Sequence, residues 1–341
     1  MAQFTDFIPQ NVAPSEANEI GVYSASGKKV CSVELSHLAF PSNAGTKLYS
    51  FGALSDVHIS QDTAEADFRR ALTYFQDTAN VDFVCIAGDL TQYSEAAEWE
   101  LYAQCVAEES ESTPVYAIAG NHDGYGITVT DAFCQEHFGY GVFHTFTQGD
   151  DVFIMMSNAC YPSESGNLPP FYTSSLQALC ETLEANRNKR CFVFQHYFMV
   201  GTAGDPLDAY GSTTLFGTQE TVIQSLMKHY PNALWFHGHS HQMFEVQTIH
   251  DKATYDFDFG CHNIHIPSCA LPVQITESGS RIQLSEGSQG YVVDVYNNGI
   301  HLKGRDFSNG VFLPIASYWL DTTLQTVEAG TYTDSTGTIT P

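Results

Sequence analysis

The sequence predicts an α/β domain built from βαβ units with helices covering the sheet faces, and three observations carry that prediction. Short apolar runs alternate with segments of helical period from residue 47 onward. Beyond residue 243 the pattern turns to β. The chain has 341 residues, 43% of them hydrophobic and 13% aromatic, enough to bury a large core and too apolar for a disordered chain.

Residues 1–46 read as a segment with a β-hairpin around Ser26-Gly27. "KLYSFGALSD" (47–56) reads as a strand. Asp62 with Glu65 three residues later forms a capping box, and Phe68, Leu72 and Phe75 then recur at helical spacing. "DFVCIAGD" is a second strand, followed by a helix over 94–109. "PVYAIAG", "DVFIMMS", "RCFVFQH" and "ALWFHGH" repeat the strand signal, with helical patterns near 173–187 and 218–229. Segments 244–250, 253–259, 262–266, 289–296 and 300–307 read as strands, and Asn298-Gly299 marks a hairpin turn. The main domain is read as 47–321, with a Thr-, Gly- and Ser-rich tail over 322–341.

Lys and Arg number 13 against 39 Asp and Glu, a formal net charge of -26, although only 15% of residues are charged. Such a surface disfavours long nucleic acid and anionic membranes, which are gripped by Lys and Arg at phosphates. A phosphate-containing substrate then requires a local positive centre from another source. The first twenty residues lack the basic and apolar regions of a signal peptide, and no apolar run approaches the 18 or so residues that span a bilayer. Nine cysteines, several inside apolar runs such as Cys85 and Cys191, read as reduced core residues of a cytoplasmic protein.

Polar residues collect at the C-terminal ends of the expected strands: Asp56 and His58, Asp89, Asn121-His122-Asp123, His196, then His237, His239 and His241. That edge is where ligands bind in open α/β sheets. A single strand-end Asp is a turn former, but five successive strands ending this way have no structural cause. Imidazole and carboxylate suit Zn, Fe and Mn. Alternation in Asp56-x-His58 and His239-x-His241 is expected to put each pair on one side of an extended strand. Two ions ~3.5–4 Å apart share a carboxylate, clamp both oxygens of a displacement at phosphorus, and supply the missing positive charge.

In this order, Asp-x-His, Gly-Asp, Gly-Asn-His-Asp, a lone His and Gly-His-x-His resemble the calcineurin-like metallophosphoesterases over residues 54–241. "DFVCIAGDLTQYSEAAEWELY" and "PVYAIAGNHD" look most like the branch containing class III cyclic-nucleotide phosphodiesterases. The resemblance implies a four-layer sandwich, two mixed β-sheets packed face to face with helices outside, in which the β-rich region 244–310 completes the second sheet. It further implies two divalent or trivalent ions (Fe, Mn or Zn), Asp56, His58 and His241 on one and Asn121, His196 and His239 on the other, with Asp89 bridging. A hydroxide between the ions attacks in line, and His122 contacts the phosphoryl oxygens and protonates the leaving group. The implied activity is hydrolysis of small phosphodiesters, cyclic nucleotides among them. A phosphomonoesterase is the alternative, and a non-catalytic module a remote one.

This sequence departs from the family where many members hold the catalytic His with an Asp three residues after the bridging Asp. That position is Gln92, and two outcomes are open: Asp123 substitutes, or His122 is less basic than usual. The purple acid phosphatase branch carries Tyr there and is disfavoured. Tyr125, Tyr197 and the loop 200–217 lie where they could stack a base or aryl group, and Asn121, His122 and Tyr125 are the expected substrate contacts. Cys261, His262, His265 and Cys269 match no standard zinc spacing and read as strand alternation. His237 reads as a core residue.

Overall fold

The apolar runs at 51–54, 83–86, 152–156, 191–194 and 233–236 are buried at every residue, so each strand has two faces to cover. The solution is four layers. A computed structural model describes residues 19–23, 29–34, 41–61, 63–159, 170–199, 202–204, 215–244, 255–256, 261–275, 281–328, 332–334 and 337–339. A short antiparallel hairpin, β1 (Glu19–Tyr23) and β2 (Lys29–Glu34), opens the chain. In the first sheet β3 (Lys47–Leu54), β4 (Phe83–Ile86) and β5 (Val115–Ala117) run parallel.

The second sheet begins with the antiparallel pair β6 (Phe143–Gln148) and β7 (Asp151–Met156). It continues in parallel through β8 (Cys191–Phe194) and β9 (Ala233–His237). Beyond β9, the strand β10 (Tyr255–Asp256) pairs antiparallel with β11 (His262–His265), which lies parallel to β9. β12 (Val273–Ile275) and β13 (Arg281–Gln283) form a separate hairpin.

The implied placement of all of 244–310 in the second sheet is corrected by the first two of three long strands after β13. β14 (Gln289–Tyr296), β15 (Gly299–Asp306) and β16 (Val311–Asp321) extend the first sheet in the order β16-β15-β14-β3-β4-β5. The cause is an edge: β4 takes one side of β3, and β14 pairs antiparallel with the other, which would otherwise leave a row of unpaired backbone groups. Asn297-Gly299 turns β14 into β15, with Tyr296 opposite Gly299. A last hairpin, β17 (Tyr332–Asp334) and β18 (Gly337–Ile339), lies in the tail.

Between the sheets the core is aromatic: Phe51, Phe83, Phe153, Phe192, Phe194 and Phe236 interlock, with Phe51 edge-on to Phe153 and Phe192 at 5.4 and 5.5 Å. Helices α1 (Ala64–Thr73) and α2 (Ala96–Glu109) cover the outer face of the first sheet through Phe68, Leu72, Trp99 and Tyr102, joined by Phe75 of the π-helical turn Tyr74–Ala79. Gly52 lets Phe75 close on β3, because a Cβ there would sit 2.8 Å from the ring. The α3 helix (Asp131–Phe138) fills one end. α4 (Thr173–Ala185) and α5 (Glu220–His229) cover the second sheet through Leu176, Leu179, Leu183, Ile223 and Leu226.

Asp62 of the expected capping box lies outside the described residues. α1 starts behind Thr63, and Glu65 instead accepts from Arg69 Nε at 2.8 Å. The capping box that forms is at α2, where Glu98 accepts from Glu95 N at 3.0 Å. Among the described residues no helix is long and apolar enough to cross a membrane.

Candidate metal centre

The parallel strands β3, β4, β5, β8 and β9 all end at one edge, and each delivers polar residues to it. Asp56 and His58 follow β3, Asp89 follows β4, Asn121 and His122 follow β5, His196 follows β8, and His239 and His241 follow β9. They are not held there as extended strand. Asp56 (φ 53°), His58 (φ 49°), Asp89 (φ 53°), His239 (φ 70°) and His241 (φ 59°) all have left-handed backbone. The expected β alternation of Asp56-x-His58 and His239-x-His241 is therefore corrected: turns past the strand ends aim these side chains. Left-handed backbone on non-glycine residues is costly, and its concentration at one spot is the mark of a functional site.

Interlocking backbone bonds hold the turns. Asp56 N donates to Gly88 O at 3.0 Å and His58 N to Asp89 O at 2.9 Å. Glycines allow the approach: a Cβ on Gly120 would meet Asp89 Oδ1 at 2.2 Å, and one on Gly238 would meet Asp56 Oδ2 at 2.4 Å.

Two donor sets result, sharing Asp89. Ligand atoms of Asp56, His58, Asp89 and His241 lie within 4.8 Å of one another, as do those of Asp89, His196 and His239. His58 Nε2 is 3.1 Å from His241 Nε2, and His239 Nδ1 is 3.3 Å from His196 Nε2. Asp56 Oδ1 is 3.0 Å from His241 Nε2, and Asp89 Oδ2 is 3.1 Å from His196 Nε2. Main-chain carbonyls engage the far side of two rings, Leu271 O at 3.0 Å from His241 Nδ1 and Ala87 O at 2.7 Å from His196 Nδ1. With those Nδ1 atoms donating, both Nε2 atoms are left as lone pairs facing other lone pairs. Asp89 Oδ2 and Asn121 Oδ1 are buried without a hydrogen-bond partner. Acceptors crowded against acceptors, with two orphaned oxygens, fit cations.

Burial raises Asp56, but His241 and His196 together offset it and draw the carboxyl below its usual range. Burial, assisted by His241, lowers His58 to about 3. Burial also lowers His196, yet the Asp89 carboxylate beside it holds the ring up at about 9. Burial takes His239 well below the usual imidazole range. Asp56 is thereby charged and His58 and His239 neutral, the states that metals require, whereas His196 carries a proton beside Asp89 that an incoming cation would displace.

Asn121 caps a single 3₁₀ turn, His122–Gly124. Its neighbour His122 donates its backbone N–H to Asp89 Oδ1 at 2.8 Å, and His122 Nδ1 lies 2.8 Å from Gln92 O. The expected contact of Asp123 with His122 is corrected. Asp123 is fully buried and accepts instead from Leu90 N, Thr91 N, Thr91 Oγ1 and Gly120 N at 2.8–3.1 Å. It ties the Asp89 turn to the Asn121 turn. Burial and the nearby Asp89 charge push its carboxyl up to about 6 against those bonds.

Tyr125 is 39% exposed at the end of the His122 turn, whereas Tyr197 is buried with its ring 4.7 Å from that of His239. Residues 200, 201 and 205–214 of the expected stacking loop lie outside the described residues. His237 is buried outside both donor sets, its ring 5.6 Å from that of His265. Cys261, His262, His265 and Cys269 form no ligand cluster among the described residues: His265 Nε2 pairs with Ser240 Oγ at 2.9 Å, and Cys269 packs toward Ser288. The carbonyls of Ala87, Gln92 and Leu271 were not anticipated, because main-chain oxygens leave no trace in residue identity.

The sequence profile of the calcineurin-like phosphoesterase family matches residues 49–243, and the chain belongs to that family. It is similar to a probable cyclic nucleotide phosphodiesterase of Colwellia psychrerythraea. The two are 27% identical over 78 residues, which span 23% of this chain and 29% of that protein. Among solved structures it is similar in fold to GAP50, the anchor in the inner membrane complex of Plasmodium. The TM-score is 0.53 at 16% identity, covering 83% of this chain and 91% of that one.

Proposed function

We propose that this chain hydrolyses small phosphodiesters, cyclic nucleotides among them. The observation that carries the reading is the pair of donor sets joined at Asp89 beside His122. Asp56, His58 and His241 would hold one transition-metal ion and Asn121, His196 and His239 a second, with Asp89 shared. Such ions acidify water and place positive charge at the phosphoryl oxygens. The chain, at -26, supplies little of that charge itself.

The residues do the rest. The turns after β3 and β9 fix the ligands before substrate arrives, which lowers the reorganisation needed at reaction. His122 donates Nδ1–H to Gln92 O, a carbonyl that can only accept, so the ring is held in one orientation with Nε2 left for proton transfer. In the doubly protonated ring Nε2–H delivers its proton to the departing oxygen, and the neutral ring that remains keeps Nδ1–H on Gln92 O. The acidic chain favours small substrates over long nucleic acid. The seven described cysteines, all free and buried, are compatible with a cytoplasmic location.

The test is His122→Ala assayed on two esters. A positioned acid contributes ~10²–10⁴-fold, and an activated aryl oxide leaves without one. The variant is expected to lose that factor on alkyl or nucleoside esters, lose far less on p-nitrophenyl esters, and keep its metal stoichiometry. Equal losses on both would make His122 a phosphate-positioning group, and a lost ion would make it a ligand.

A further inference from the structure

Two exposed aromatic rings are tethered to His122 through the backbone. Tyr93 directly follows Gln92, whose carbonyl meets the His122 ring, and Tyr125 N donates to His122 O at 3.0 Å. The rings are 47% and 39% exposed and meet edge to face, with centroids 5.6 Å apart and planes at 75°. Ile127, on the same loop, is 41% exposed. Seven large hydrophobic residues are exposed among the described residues, and three of them sit on these two loops. The loops are also braced. Tyr93 N donates to Glu98 Oε2 at 2.9 Å, Ser94 Oγ donates to Asp123 O at 2.8 Å, and Trp99 Nε1 donates to Ser94 Oγ at 3.2 Å. Braced, exposed aromatic surface beside a proton donor is a recognition surface.

We propose that Tyr93 and Tyr125 form a platform for an uncharged planar aromatic ring carried on the leaving-group side of the ester. This rests on the phosphodiesterase reading above. The side follows from the tether: both rings attach to the loops that hold His122, whose Nε2 serves the departing oxygen. The absence of charge follows from sequence. No Lys or Arg occurs between Arg70 and Arg187, so these loops contribute no cation to grip a second anionic group. Stacking is left as the means of recognition, and it tolerates different ring systems because each has a π-face.

The experiment compares adenosine 5′-monophosphate with ribose 5-phosphate, which share sugar and phosphate and differ by the ring, binding to the metal-loaded protein in calorimetry. The unsubstituted protein is expected to bind the nucleotide about 10-fold tighter, the scale of one stacked base. The double variant Tyr93→Ala, Tyr125→Ala brings that ratio near 1, and Tyr93→Phe, Tyr125→Phe keeps it. In turnover, the alanine pair raises KM for nucleoside esters with kcat within about twofold. A ratio near 1 in the unsubstituted protein, or one that survives the alanine pair, overturns the platform. Ester hydrolysis without ring preference overturns the platform alone. Ring preference abolished by the alanine pair, with no hydrolysis of any ester, supports the platform and overturns the phosphodiesterase reading.

Discussion

Buried carboxylates stand at both ends of the sheets, and the two ends treat them in opposite ways. At the N-terminal ends of β7 and β8, Asp151 is met by Arg190 with two parallel bonds, Nε at 3.0 Å and Nη2 at 2.5 Å, and by Tyr49 Oη at 2.6 Å. The remaining Arg190 nitrogen, Nη1, donates to Tyr296 O and Thr322 Oγ1. Charge and hydrogen bonding close within the protein. At the C-terminal ends, Asp56 and Asp89 face imidazole lone pairs, and two oxygens have no partner. A structure that satisfies a buried carboxylate at one end leaves one oxygen of Asp89 and one of Asn121 unpaired at the other, beside strained backbone. The difference separates a structural ion pair from a site shaped for cations.

The largest effect that would break this contrast comes from Asp89→Ala. It removes the one group common to both donor sets, so elemental analysis is expected to show loss of both ions and activity to fall on the order of 10³-fold or more. Retention of two ions would show that Asp89 is not shared. Arg190→Met addresses the other end. It leaves Asp151 buried without its counter-charge and is expected to cost about 3–5 kcal/mol in urea unfolding, with metal content unchanged. Adding Asp151→Asn should recover part of that loss.

A smaller effect is expected from Asp123→Asn, which turns an amide donor toward four donors. Destabilisation of about 1–3 kcal/mol is expected, together with a 10–100-fold weaker metal affinity. Because Asp123 braces turns and does not orient the His122 ring, the aryl-versus-alkyl selectivity should stay put; a change like that of His122→Ala would restore it as the orienting group. The smallest effect belongs to His262, beside Arg190 and Asp321. Burial lowers its ring to about 4, only partly offset by Asp321. An imidazole depressed in the fold contributes stability above its unfolded value near 6.5. Metal-free protein should therefore lose stability as pH falls from about 6.5 to 4, and His262→Gln should flatten that slope. An unchanged slope would show that His262 is not buried neutral.

Much of the frame was legible because burial leaves a periodic trace. The runs "FVCI", "CFVF" and "ALWFH" are strands over 83–86, 191–194 and 233–237, and the helices over 173–187 and 218–229 appear as Thr173–Ala185 and Glu220–His229. Elements with weak patterns were missed. Phe143–Gln148 is an edge strand with no fully buried residue, and Asp131–Phe138 buries only Cys134. The sheet that takes β14 and β15 differs from the expected one because pairing depends on which strand edge stands open, and one-dimensional pattern carries no edges.

By itself the sequence determined the residue types of the site and the strand ends that carry them, since ligand chemistry and strand burial are both written in side-chain identity. Only the tertiary structure decided that left-handed turns aim those ligands, that Gln92 contributes a carbonyl and not its side chain to His122, and that Asp123 serves the backbone. The reason is common to all three. Main-chain conformation and main-chain acceptors are the same atoms at every residue, so their roles appear only when turns from different strands meet.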